Sequence, residues 1–177
     1  MNTMLMSLAV LLALASAAFW MLRPGARPPV GSAAPDFTLQ DQFGRRHRLG
    51  DYADRWLVLY FYPRDDTPGC TQEACRFRDD IGIFGELGAV VIGISIDSTD
   101  SHAAFTHKYD LPFTLLSDPH GCTAAAYGSL VNLGLVKFAR RQTFIVGPDG
   151  RIAARHDRVD PARHAAEVAA RLLSLRG

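Results

Sequence analysis

Two unbroken apolar runs stand out in the hydrophobic pattern. Trp56–Tyr62, "WLVLYFY", and Ala89–Ile96, "AVVIGISI", lack the apolar–polar alternation of a half-exposed strand. Such runs suit strands buried on both faces of a sheet with helices above and below. Gln142–Val146 is a third strand. It leads through the turn "GPDG", Gly147–Gly150, into a returning strand at Arg151–His156. Phe113–Leu116 is a short strand. Asp36–Leu49 alternates around "DQFGR" with Gly44 at the turn, which predicts a β-hairpin. Between the strands the period changes. Ala74, Phe77, Ile81 and Phe84 share a stripe that predicts one helix over Cys70–Phe84, with Thr67 as its cap and Pro68 in its first turn. Ser98 caps a helix running to about Tyr109, and Gly121–Tyr127 forms a small one. Asp160 caps a last helix opened by Pro161, with Ala165, Val168, Ala169 and Leu172 facing the core. The order of elements predicts α/β layers around a mixed sheet.

The N-terminus has a different character. Met4–Leu22, "MLMSLAVLLALASAAFWML", is 19 residues without a charge, close to the ~20 that cross a bilayer as a helix. Ala15-Ser16-Ala17 offers a signal-peptide cleavage site. However, no Lys or Arg precedes the run, and it continues through Phe19, Trp20 and Leu22, which favours an uncleaved anchor over a signal segment. Residues 1–22 thus read as an anchor or signal segment, 23–35 as a Pro/Gly/Ala linker, and 36–177 as the folded domain. Arg23 and Arg27 follow the run. The positive-inside rule then places the domain on the cytoplasmic side of a bacterial inner membrane.

A chain of 177 residues with 48% apolar content supports a single domain with a sizeable core, and a formal net charge of +1 gives no basic footprint for nucleic acid. Three cysteines exclude a multi-disulfide scaffold. The six histidines, at 47, 102, 107, 120, 156 and 164, show no metal-ligand spacing near the cysteines, and His47, beside Arg45, Arg46 and Arg48, reads as solvated.

The chemistry concentrates in "FYPRDDTPGCTQEAC", Phe61–Cys75. Thiolate is the reactive form of cysteine, and the first turn of a helix favours it, because unpaired N–H groups and the positive end of the helix dipole converge there. Cys70 sits in that turn. Gly69 lets a ligand approach the backbone, Pro63 and Pro68 stiffen the loop, and Thr67 offers a hydroxyl that both donates and accepts. Cys75 lies five residues further on, so on a helix the two Cα atoms are roughly 8–9 Å apart. That exceeds the ~7 Å a disulfide tolerates. Any bond between them therefore requires the helix to unwind locally, and a redox-linked conformational change is expected.

The segment "YFYPRDDTPGCTQEACRFRD" resembles the active site of a peroxiredoxin, with Pro63, Thr67 and Cys70 on the family's P-x-x-x-T-x-x-C pattern. Cysteines at this spacing on one helix resemble the bacterioferritin comigratory protein/PrxQ subfamily of atypical 2-Cys enzymes. "GSAAPDFTLQDQFG", "VIGISIDSTDSHAAFTHKYDLPFTLLSD" and "RQTFIVGPDGRI" resemble the family's opening hairpin, middle and late strand. The resemblance implies a thioredoxin-like fold and a thiol-dependent peroxidase acting on hydrogen peroxide and organic hydroperoxides without metal or cofactor. It implies Cys70 as the peroxidatic cysteine, Cys75 as the resolving one, Thr67 as hydrogen-bonding to the sulfur and peroxide, and Arg141 of "RQTF" as the supporting arginine. Pro63 and Gly69 would shape the substrate site, and thioredoxin or a glutaredoxin-like dithiol would restore the thiols. A monomer is expected, with the membrane as a partner through the N-terminal helix. The alternatives on the same fold are a membrane-tethered redox sensor and a thiol- or copper-delivery protein. Cys122 is expected to be a small, partly exposed side chain.

Overall fold

The computed structural model describes residues 25–177. Strands β1 (Thr38–Asp41), β2 (Arg46–Arg48), β3 (Trp56–Phe61), β4 (Ala89–Ser95), β5 (Thr114–Ser117), β8 (Gln142–Val146) and β9 (Ile152–His156) form one seven-stranded sheet. Their order is β2-β1-β5-β4-β3-β8-β9. β3, β4 and β5 run parallel, while β8 pairs antiparallel to β3, and the hairpin β1–β2 closes the far edge. The sheet is mixed, and helices α1 (Pro68–Asp79), α2 (Ile81–Glu86), α3 (Thr99–Tyr109), α4 (Cys122–Ala126) and α5 (His164–Arg176) complete the thioredoxin-like α/β architecture.

The unbroken apolar character of β3 follows from its place inside this sheet. Val58, Tyr60 and the adjoining Tyr62 face one core with Cys70, Ala74, Phe77, Phe84, Phe105, Val168 and Leu172. Leu57, Leu59 and Phe61 face the other with Ala124, Tyr127 and Phe144. Both faces of the strand are therefore dry, and no polar alternation is tolerated. Tyr60 lies opposite Gly93 in the parallel register. A Cβ at Gly93 would come within 2.7 Å of the Tyr60 ring and of Leu115, so β4 needs glycine there for Tyr60 to fit.

Several expectations are corrected. The single helix over Cys70–Phe84 is two helices, broken at Asp80 (φ −95°, ψ 5°). Gly82 and Gly85 weaken helix propagation beyond the break, and Phe77 still meets Phe84, with ring centroids 5.6 Å apart. The last helix begins at His164 rather than Pro161. The Asp160 carboxylate instead accepts from the Ala162 N–H (3.0 Å) and closes a turn. Strands β6 (Leu130–Asn132) and β7 (Lys137–Ala139) form a separate two-stranded ribbon that the periodicity did not reveal. His47 is half-buried rather than solvated, because the hairpin register carries it across from Leu39 and against Tyr52. Its Nδ1 lies 2.6 Å from the Tyr52 hydroxyl and its Nε2 3.0 Å from the Asp41 carboxylate.

The expected inner-membrane location is also corrected. Among the described residues no helix is long and apolar enough to cross a membrane. The longest of them, α5 with 13 residues, reaches only ~20 Å, short of the ~30 Å hydrocarbon core. The apolar run at 4–22 on which the anchor, the signal-peptide rival and the membrane partner rested lies outside the described residues. Of the Pro/Gly/Ala-rich segment, residues 31–34 are tied to the sheet edge: Gly31 N–H donates to Ile152 O (2.7 Å), Ile152 N–H to Ser32 O (2.9 Å) and Ala34 N–H to Gly150 O (2.9 Å).

Candidate active site

The chain leaves β3 at Phe61 and turns through Pro63–Asp66 into α1. Two carboxylates fix this turn. Asp65 is buried and accepts from the Tyr62 hydroxyl (2.7 Å), the Ser101 hydroxyl (2.7 Å) and His102 Nδ1 (2.8 Å). Asp66, at φ 55°, pairs on the surface with Lys108 Nζ (2.6 Å) and accepts from the Tyr109 hydroxyl (2.6 Å). Both thereby pin the loop to α3.

Thr67 is the N-cap of α1, in an extended conformation, with Pro68 in the first turn. Its side chain makes no cap bond. The hydroxyl donates to Arg64 O (3.0 Å), which leaves its oxygen to act as an acceptor. The first helical bond runs from Thr71 N–H to Thr67 O (2.8 Å), so the helix does not use the N–H groups of Gly69 and Cys70. These two donors and the positive helix end lie in the turn that carries the Cys70 side chain.

Cys70 is buried, Cys75 half-buried and Cys122 exposed, and none is in a disulfide. Arg141, immediately before β8, reaches Cys70: its Nη2 donates to the sulfur at 3.2 Å. Its Nη1 donates to Glu73, whose carboxylate is fully buried. Burial works against the Arg141 charge, but Glu73 and then Cys70 outweigh it and hold the guanidinium above its already high ordinary value. It is a permanent cation beside the sulfur. A Cβ at Gly69 would sit 3.3 Å from Arg141 Nη2, so this glycine gives the guanidinium its room. Beneath the site lies Tyr60. Burial first, then Glu73, Asp65 and Cys70, push its phenol well above the ordinary value and keep it neutral. Pro63 lines a pocket of about 450 Å³ with Arg64, Ile96, Asp97, Val136, Lys137 and Phe138.

The structure thus brings Thr67, Gly69, Cys70 and Arg141 together, places Cys75 on the same helix, and sets Pro63 at the adjoining pocket. Two residues of the cluster escaped the sequence reading. Glu73 holds Arg141 from within α1, and His164, the first residue of α5, holds Glu73: its Nδ1 lies 2.7 Å from Glu73 Oε1. The signal for Glu73 was its spacing. Cys70, Glu73, Ala74 and Phe77 form one buried stripe, so a carboxylate three residues after the cysteine had to lie in the core.

A buried sulfur at a helix N-terminus, held by a guanidinium on a thioredoxin-like scaffold, is a site for thiol redox chemistry. Residues 30–155 match the AhpC/TSA family, to which the chain belongs. Within it, the likeness is to Bcp and PrxQ peroxiredoxins, and the chain is a thiol-dependent peroxidase, an oxidoreductase. The putative peroxiredoxin bcp of Coxiella burnetii is 44% identical over 147 residues, covering 81% of this chain and 97% of that protein. The structure of peroxidoxin BcpB from Mycobacterium tuberculosis superposes with a TM-score of 0.81 at 34% identity, covering 85% of this chain and all of that one. The bacterioferritin comigratory protein of Xanthomonas campestris, whose structures concern its alkyl peroxide reduction activity, gives a TM-score of 0.75 at 33% identity over 83% of this chain and 96% of that one. The family match begins after the apolar run, so it lends that run no membrane role.

Proposed function

We propose that Cys70 is the peroxidatic and Cys75 the resolving cysteine of a single-chain catalytic cycle. The Cys70 thiolate attacks one peroxide oxygen. An S–O bond forms, the O–O bond breaks, and the departing oxygen takes a proton to leave as water or an alcohol. The Gly69 and Cys70 N–H groups and Arg141 stabilise the negative charge that builds up on the oxygens. Thr67 accepts from the peroxide O–H. The product is a Cys70 sulfenic acid. The Cys75 thiolate then attacks its sulfur: an S–S bond forms, the S–O bond breaks, and hydroxide leaves as water. A dithiol of thioredoxin type, or a glutaredoxin-like one, reopens the disulfide by exchange. Residues 36–177 carry this cycle as a monomer.

The observation that carries the reading is the Arg141 contact. Among the described cysteines, only Cys70 receives a guanidinium hydrogen bond. The alkyl peroxide reduction activity of the Xanthomonas campestris relative supports organic hydroperoxides as substrates along with hydrogen peroxide. The test is Cys75→Ser in a coupled assay with thioredoxin. The variant is expected to consume one equivalent of peroxide per chain at the wild-type rate, then stop, with sulfenic acid trapped by dimedone at Cys70. Continued wild-type turnover would remove Cys75 from the cycle.

A further inference from the structure

Glu73 lies between the two cysteines on α1 and is fully buried. Different elements take its two oxygens. Arg141, just before β8, donates to Oε2, and His164, at the start of α5, holds Oε1 at 2.7 Å. The His164 ring is itself fully buried. It packs edge-on against Phe77 (5.3 Å) and against His156 (5.8 Å), and its Nε2 has no partner among the described residues. Glu73 is thus the one polar contact recorded for this ring. Burial first, and His164 second, hold His156 below the ordinary histidine value, so the neighbouring ring tends to the neutral form and brings Glu73 no rival charge. The turn before α5 also covers the start of α1: Pro161 Cγ is 3.8 Å from where a Gly69 Cβ would stand.

Unwinding α1 to join Cys70 and Cys75 must carry Glu73 with it, since it is part of the unwound segment. We infer that His164 is a positioning residue that latches Glu73, and through it keeps Arg141 against Cys70 and α1 wound until the sulfur is oxidised. The latch favours the peroxide step, which needs the intact helix end, and slows disulfide formation, which needs the helix open. A sulfenic acid that waits longer is more exposed to a second peroxide, which oxidises it to the sulfinic acid and is itself reduced to water or alcohol. The inference rests on the proposed roles of Cys70 and Cys75.

The test compares His164→Leu, which fills the ring's space without a donor, with His164→Asn, whose Nδ2 occupies nearly the place of Nδ1. After one equivalent of hydrogen peroxide, rapid quenching and mass spectrometry follow the Cys70–Cys75 disulfide. In H164L, condensation is expected to accelerate about 10-fold, the scale of one hydrogen bond to a charged group, and Cys70 oxidation to slow several-fold. The peroxide concentration that half-converts Cys70 to sulfinic acid rises accordingly. H164N restores all three towards wild type. If H164L fails to fold, His164→Gln, whose amide reaches one carbon too far, replaces it. Wild-type condensation in H164L, or H164N behaving like H164L while both stay folded, overturns the latch and leaves His164 as scaffold. If the disulfide never forms in the wild type, the roles of the two cysteines fail instead.

Discussion

Cys70→Ser is expected to lower peroxide consumption by a factor on the order of 10⁶, the scale on which losing an enzyme's nucleophile is felt. The substitution changes one atom in a buried position, so the far-UV spectrum and cooperative melting persist. Cys75 and Cys122 remain as internal controls. Both are thiols, one half-buried and one exposed, but neither receives the guanidinium contact that Cys70 has. If peroxide-reactive thiol chemistry were general to this chain, Cys70→Ser would keep a substantial part of the rate. Stopped-flow peroxide decay on the two proteins separates these outcomes.

The second large effect is expected from Arg141→Ala. Activity falls by about 10²–10³-fold, as when one preorganised donor to a developing oxyanion is removed. Stability falls as well. Glu73 stays in the core with His164 as its remaining partner, and stranding one member of a buried pair costs about 3–5 kcal/mol. Arg141→Lys keeps the charge but cannot hold Glu73 and Cys70 with one planar fork, so it recovers more stability than rate. Denaturant midpoints and second-order rate constants for Cys70 oxidation read the two losses separately. A variant with full stability and a lost rate would mean that Glu73 does not depend on Arg141.

Which features the sequence disclosed, and which it hid, has a physical pattern. Strands β3, β4 and β8 were legible because burial on both faces leaves an apolar run that nothing else explains. Thr67, Pro68 and Cys70 were legible because a helix start has its own chemistry. Asp80 hides the break between α1 and α2, since both helices bury the same stripe and no proline marks the gap. The ribbon β6–β7 is hidden because its strands are three residues each and its turn, "LGLV", lacks an Asn-Gly or Asp-Gly signal. The site was legible as far as it is local. Thr67, Gly69 and Cys70 fall within four residues of one helix start, and family resemblance supplied Arg141. Glu73 and His164 form a pair across 91 positions, and neither residue names its partner. Each still left a local trace. Glu73 lies on the stripe of Cys70, Ala74 and Phe77, and His164 is one helical turn before Val168 on the core face of α5. A charge on an apolar stripe signals a buried partner, which only the fold identifies.

On the proposed cycle α1 serves two states: wound while Cys70 attacks, unwound when Cys75 joins it. Amide hydrogen exchange over residues 67–78 tests this most directly, comparing the dithiol protein with the peroxide-oxidised form verified to carry the Cys70–Cys75 disulfide. Protection is expected in the dithiol form and its loss in the disulfide form, with the amides of β3 and β4 unchanged in both. Equal protection of residues 67–78 in the two forms would contradict it.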